Sequence, residues 1–448
     1  MKRCCAVVVW LLAGILFSSL VSAMEVPLKY EKYSGNQGTF RPMGMLSVKV
    51  KLDAPPGEWK LPELKFDHPL YSLVKTGDSE RLMILDVQKE DDLYYNCIYF
   101  DANANSDLTD DKIIHGTLRD IGNGQYFMTE FPGVDMMIEV DGVSLPYNFK
   151  IRASGNAFNA ANSPALNNQN IRRFANIYCQ TNCSYSGTFK VNGTDYTIEI
   201  GDANCNGRFD DSFTKPNIVN SSPVPRPLMP SGDQMYLSTD GVIGYLDRLA
   251  LGDMLLIEGK LFEVSISTKD KTLTMNEVSD GLVTVKLPME VELLSLYTDD
   301  GEHCVNCYKP GSQVTLPPGN YKLLSYQACR KDKQGDLWRV CASSSSDTPS
   351  FAVKQGSGEA CAFGEPYSPV VSLRTRPGSS SNNGNIPISF NVAGVANEIL
   401  TDVARISGDK SIIPRSSIRG KENLPKEPSY KIITPGGEVV ATGSFEYG

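Results

Sequence analysis

The stretch Asp101-Ala-Asn-Ala-Asn-Ser-Asp-Leu-Thr-Asp-Asp111 returns later in the chain as Asp202-Ala-Asn-Cys-Asn-Gly-Arg-Phe-Asp-Asp211. In both copies a side-chain oxygen stands at positions one, three and five, an apolar residue at position eight, and acidic residues close behind it. Each copy follows a short run that reads as the second strand of a hairpin, residues 93–100 and 196–200. The repetition therefore includes the setting as well as the loop. Loops of this kind between strands, with no helical period on either side, point to an all-β fold.

The spacing suits a hard cation. Calcium takes six to eight oxygens at about 2.3–2.6 Å, and a ligand at every second residue of a curling backbone aims them at one point. The candidate ligands are Asp101, Asn103, Asn105, Asp107, Asp110 and Asp111 in the first copy. In the second they are Asp202, Asn204, Asn206, Arg208, Asp210 and Asp211. Position seven, Asp107 or Arg208, would offer its carbonyl. Asp110 in the first copy, and Asp210 or Asp211 in the second, would close the shell. Leu108 and Phe209 would pin each loop to a core. The alternative is a metal-free turn, since Asp and Asn favour turns without any ion.

The Asp-x-Asn-x-Asn start resembles the calcium loops of EF-hand, dockerin, thrombospondin and integrin proteins. The early acidic pair and the flanking strands make it more similar to the thrombospondin and integrin kind. The resemblance covers about ten residues per copy and implies bound calcium that orders a loop. An EF-hand also has Gly at position six and Glu at twelve. Gly207 meets the first condition, Ser106 does not, and Lys112 and Ser212 stand at twelve. Ser106 would have to adopt a left-handed backbone, at about 1–2 kcal/mol.

Residues 1–23 read as a secretory leader: Lys2 and Arg3, an apolar run over 5–20, and Val21-Ser22-Ala23 as a cleavage site. That run is too short for a membrane anchor, and no later segment could span a bilayer. The expected address is secreted or periplasmic. The net charge of −9 becomes −11 once the two positive charges of Lys2 and Arg3 are removed. That excess argues against a nucleic-acid or anionic-membrane partner. Nine of the 11 cysteines remain after cleavage. In an oxidising compartment disulfides are expected: Cys329 with Cys341 across a hairpin centred on Gly335, and the local pairs Cys304/Cys307 and Cys179/Cys183. A zinc knuckle at Cys304 and Cys307 lacks a second ligand pair.

Residues 24–280 form the expected first domain, with strands over 45–52, 82–87, 93–100, 126–131, 134–140 and 143–151. A hairpin is expected across Asn192-Gly193, a tight-turn dipeptide. Residues 154–170 read as a surface loop, 216–230 as a Pro-rich link, 244–251 as a short helix, and 254–275 as strands turning at Lys269-Asp270-Lys271. A β-sandwich module is expected over 281–376. There Val314-Thr-Leu-Pro-Pro-Gly-Asn-Tyr321 resembles the strand–turn–strand of transthyretin-like and carboxypeptidase-regulatory sandwiches. A small Ig-like module over 377–448 follows, with a closing hairpin at 430–445 and a loose middle at 408–428. The expected architecture is thus multidomain and all-β.

Catalytic signals are sparse. The three histidines, His68, His115 and His303, accompany no Gly-x-Ser-x-Gly elbow, and no glycine-rich phosphate loop opens a helix. Asp91-Asp92 and Asp299-Asp300 are candidate carboxylate pairs that also suit plain turns. Trp59 and Trp338 suit either a sugar platform or packing. The expectation is a bacterial secreted or periplasmic protein, non-enzymatic, structural or adhesive, with calcium ordering its loops. Its partner would be a polysaccharide or a cell-envelope component. The alternative is a secreted carbohydrate-active hydrolase or a carbohydrate-binding protein with structural calcium.

Overall fold

Val134, Met136, Ile138 and Val140 are buried while Asp135, Met137 and Glu139 between them face outward. That period of two is the rule along this chain, and it builds strands because alternate side chains leave opposite faces of a pleated backbone. The computed structural model describes residues 23–33, 40, 42, 44–51, 53–55, 57–90, 92, 94–121, 126–156, 176–216, 226–228, 230–356, 361–373, 388–406 and 424–445. Among these the fold is all-β, in sheets of twelve, six, five, four and two strands.

The four-stranded sheet comprises Leu70–Thr76, Ser79–Asp86, Cys97–Phe100 and Ile114–His115. The five-stranded sheet includes the hairpin Cys183–Val191 and Thr194–Gly201, flanked by Gln234–Ser238. Asn192 and Gly193 turn that hairpin at φ 48° and 92°, the left-handed region that this dipeptide tolerates. Both repeated loops therefore leave the end of a strand that closes a hairpin, as the sequence indicates.

The six-stranded sheet centres on Val143–Asn156, which pairs with Val134–Val140, Tyr126–Glu130 and Asn176–Thr181. That strand runs into the stretch 154–170 read as a surface loop; the remainder of that stretch, 157–170, lies outside the described residues. So do most of the Pro-rich link and of the loose stretch at 408–428. The expected helix at 244–251 is a three-residue 3-10 turn, Tyr245–Asp247, followed at once by the strand Arg248–Ala250. Its sequence is too short to propagate a helix, and Arg248–Ala250 instead pairs with Gln234–Ser238.

The twelve-stranded sheet runs across both expected domain joins. Met254–Ile257 pairs in parallel with Cys304–Leu316, and Leu337–Ser343 pairs with Ile399–Arg405. The main core, from Val26 to Met275, also takes in Leu293 and Tyr308. A second core extends from Met254 to Ala396. The closing hairpin, Ser429–Ile433 with Val439–Ser444, forms the two-stranded sheet and touches the rest through Phe445 on Phe390, 5.1 Å between ring centroids.

No disulfide joins any of the nine cysteines. Cys304 and Cys307 lie three residues apart in one regularly paired strand. At about 3.3 Å per residue their Cα atoms are near 10 Å apart, beyond the reach of a disulfide. Cys329 sits opposite Arg339 and Cys341 opposite Gln327. The hairpin is centred one residue before Gly335, so the two thiols are diagonal neighbours, not facing ones. Cys179 and Cys183 are both buried, in successive strands. Among the described residues no helix is long and apolar enough to cross a membrane.

Candidate cation loops

The two loops share one backbone. Positions four and six are left-handed in both: Ala104 and Ser106 at φ 58° and 65°, Cys205 and Gly207 at 59° and 83°. Ser106 therefore does adopt the conformation its sequence disfavours. The reason is the carboxylate at position one. Asp101 accepts the N–H groups of Asn105 (3.1 Å) and Ser106 (3.2 Å); Asp202 accepts those of Asn206 (3.3 Å) and Gly207 (2.8 Å). The asparagines at positions three and five each make an Asx turn to the amide two residues on. Their NH2 groups then converge on the carboxylate at position ten, which is Asp110 in the first loop and Asp211 in the second.

This convergence decides between the acids proposed from sequence. Asp211, not Asp210, is the geometric counterpart of Asp110. Asp210 faces away, accepting from the Thr268 amide at 3.0 Å and from Arg208 at 3.3 Å. Asp107 likewise turns its side chain outward, to Lys60 (2.6 Å) and Thr109, and these bonds hold its carboxyl down at about 2. The side chain of Arg208 pairs with Asp141 at 2.7 Å. With both side chains engaged outside the ring, positions seven leave their carbonyls as the groups that could face it. Leu108 and Phe209 are both 1 % exposed. Leu108 packs in a small core with Tyr71, Leu82 and Tyr99. Phe209 stands edge-on to Tyr185 at 4.9 Å in the main core. Burial of each is worth about 2 kcal/mol.

One residue escaped the sequence reading. In the first loop Asp111 accepts the position-two amide, that of Ala102, at 3.1 Å. In the second loop Asp233 does so, taking the Ala203 amide at 2.9 Å with one oxygen and the Asp211 amide at 2.9 Å with the other. Asp233 directly precedes the strand Gln234–Ser238, which pairs with the strand before its loop; Asp111 shortly precedes Ile114–His115, which does the same. The segment between loop and return strand is longer in the second copy, so the corresponding acid lies far from the loop in sequence, and nothing local marks it.

The charge settings differ. Arg81, 2 % exposed, lies beneath the first loop and donates to the carbonyls of Asp101, Ala102 and Met137. Burial lowers its pKa, opposed by the charges of Asp101 and Asp111. Burial raises Asp111 to about 6, and its second oxygen is buried without a hydrogen-bond partner. Asp202 and Asp233 are 0 % and 2 % exposed and, among the described residues, make no ion pair. Burial raises both pKa values, and the charge of Asp202 raises that of Asp233 further. Tyr147 donates its hydroxyl to Asp202 at 2.7 Å.

Among the described residues no three His, Cys, Asp or Glu side chains are grouped to hold a metal. The loops would have to rely on asparagine and backbone oxygens as well. The donor set fits a hard cation: each amide oxygen carries two lone pairs, of which its Asx turn uses one. Asp101, Asn103, Asn105, Asp110 and the carbonyl of Asp107 could hold one ion. Asp202, Asn204, Asn206, Asp211 and the carbonyl of Arg208 could hold another.

The catalytic candidates are placed as follows. His303 Nδ1 lies 2.6 Å from Asp253, a pair invisible in sequence, and this contact raises the histidine pKa. The adjacent Cys304 thiol is buried and its pKa raised by that burial, which disfavours the thiolate. The His68 ring packs edge-on against Phe66, and His115 ends a strand. Asp299 accepts from Ser350, and Asp300 from Thr298 and the Glu302 amide, as turn residues do. Asp91 is outside the described residues. Trp59 packs on the small core beside Leu108, and Trp338 donates to Asp332 at 2.9 Å in another sheet, so the two form no common platform. Comparison with family models, with curated proteins and with solved structures returns no match.

Proposed function

We propose that this chain is an exported, non-enzymatic β-protein with a structural or adhesive role, in which calcium orders the loops at 101–111 and 202–211. A polysaccharide or another cell-envelope component is the partner class for such a role. One observation carries the reading. Two loops far apart in sequence share left-handed residues at positions four and six, a position-one carboxylate over the same two amides, and asparagines gathered on the same position-ten carboxylate. In this reading calcium supplies positive charge at the centre of each ring, and the residues of this chain position the oxygens around it.

The test is thermal unfolding of the chain in EDTA and in millimolar calcium, repeated for Asp101→Ala and Asp202→Ala. An ion that binds only the folded state raises its stability by RT ln(1 + [L]/Kd). With Kd at the ~10⁻⁴ M of weak extracellular sites, about 10 mM calcium adds ~2.7 kcal/mol per site. Each substitution is expected to remove its share of that gain. A midpoint that ignores both EDTA and calcium would mean that the loops are metal-free turns.

A further inference from the structure

The second loop is where the sheets meet. Its Asn206 carbonyl accepts the Gly77 amide at 2.6 Å, from the turn that joins Leu70–Thr76 to Ser79–Asp86 in the four-stranded sheet. Arg208 pairs with Asp141 in the turn of the six-stranded sheet, and Tyr147 and Thr181 of that sheet donate to Asp202. Phe209 donates its amide to Thr268 Oγ1 at 2.8 Å, and the Thr268 amide returns to Asp210. Thr268 stands in the turn between Lys260–Ser267 and Thr272–Val278 of the twelve-stranded sheet. Asp233 ties the loop to its own five-stranded sheet. Ten residues thus hold hydrogen bonds to four sheets. Among the described residues the first loop reaches one sheet besides its own, through Arg81.

We infer that the second loop is the clasp of residues 24–280: when it is ordered it docks the four-, six- and twelve-stranded sheets on the five-stranded one, and when it opens all three are released together. Its two states are an ordered ring, in which Asp202 accepts the amides of Asn204, Asn206 and Gly207, and an open ring in which those amides and the outward bonds are lost at once. The coupling is physical. Gly77, Arg208 and Thr268 find their partners only while residues 205–210 keep the curl set by left-handed Cys205 and Gly207. The trigger, calcium filling or leaving the ring, rests on the function proposed above; the clasp itself does not.

Hydrogen exchange on the full chain, in EDTA and in millimolar calcium, tests this for the wild type, Asp202→Asn and Asp101→Asn. In Asp202→Asn, protection is expected to fall about tenfold or more in Leu70–Thr76, Val134–Val140 and Lys260–Ser267, all outside the loop. In Asp101→Asn the loss should stay within about residues 97–115. Loss confined to residues 202–211 in Asp202→Asn would overturn the clasp. Thr268→Val, which cuts a single link, covers the case in which Asp202→Asn does not fold. It should loosen both the hairpin of Lys260–Ser267 and the loop, and a loop left untouched would also overturn it. A wild type indifferent to calcium, beside an Asp202→Asn that releases all three sheets, would defeat the calcium reading and leave the clasp standing. Calcium that slows exchange only inside the loop would do the reverse.

Discussion

The two loops are nearly the same object in different surroundings. The first hangs at the end of its sheet, with Asn103, Asn105 and Asp110 exposed and a buried arginine beneath it. Both position-one carboxylates are buried and both position-three asparagines exposed. In the second loop, however, Asn206 and Asp211 are half-buried and Asp233 adds a second buried carboxylate. Among the described residues no arginine or lysine bonds to Asp202 or Asp233. A local sequence pattern can therefore fix the curl of a loop and leave its energetic weight open. Weight follows from what the surrounding sheets lend to it: satisfied amides, excluded water and neighbouring charge.

Removal of the position-one carboxylate should separate the loops most widely. Asp202→Ala leaves the amides of Asn204 and Gly207 and the Tyr147 hydroxyl without their acceptor, while the Asn206 amide keeps only its bond to Asn204 Oδ1. Unmet buried groups cost about 1–3 kcal/mol each, so a loss above ~3 kcal/mol is expected in urea unfolding. Asp101→Ala strands the Ser106 amide and leaves the Asn105 amide on Asn103 Oδ1 alone. The position-five and position-ten side chains of this loop are exposed, and about 1–2 kcal/mol is expected. Equal losses would break the comparison.

Position six should give a smaller contrast of opposite sign. A Cβ on Gly207 would stand 2.4 Å from Ile138 Cδ1 at φ 83°, so Gly207→Ala is expected to cost about 1–3 kcal/mol. Ser106→Gly relieves the left-handed strain at φ 65° and should change stability by a few tenths to ~1 kcal/mol in the favourable direction. Paired denaturation curves would show both. A destabilised Ser106→Gly would mean that its side chain does more than fill the position.

The smallest effect is a control outside both loops. Asp253 raises the pKa of His303 above its ordinary 6.5. The contribution of the pair is complete below the unfolded value and is lost as the pH rises through the folded one. Both side chains are more than a third exposed, so under about 1 kcal/mol is at stake. Melting temperature followed across neutral pH should fall slightly more steeply in the wild type than in His303→Gln. If the slopes are the same, the pair contributes nothing measurable. If the slope depends on calcium, the pair and the loops are not independent.

Much of this was legible in the chain. The alternation of Val134–Val140, the Asn192-Gly193 turn and the repeated ring of oxygens are all local features, and the structure has them where the sequence puts them. Asp233 was not legible. Its role depends on Gln234–Ser238 returning beside Thr194–Gly201, and the segment between loop and return strand has no counterpart in the first copy. The diagonal offset of Cys329 and Cys341 was hidden for a similar reason: one residue in the centre of a turn moves the facing partner by two.

What the sequence alone determined are the short-range properties: strand periodicity, left-handed positions, and the curl that gathers side-chain oxygens. These follow from dihedral preferences and hydrogen bonds among neighbours in the chain. Tertiary structure alone decided which acid closes the second ring, how one sheet crosses the expected domain joins, and that Asn206, Arg208 and Asp210 meet three further sheets. Those outcomes depend on which strands pair and in what register. That choice is made by the burial of whole sheet faces, a sum over distant residues that no local stretch records.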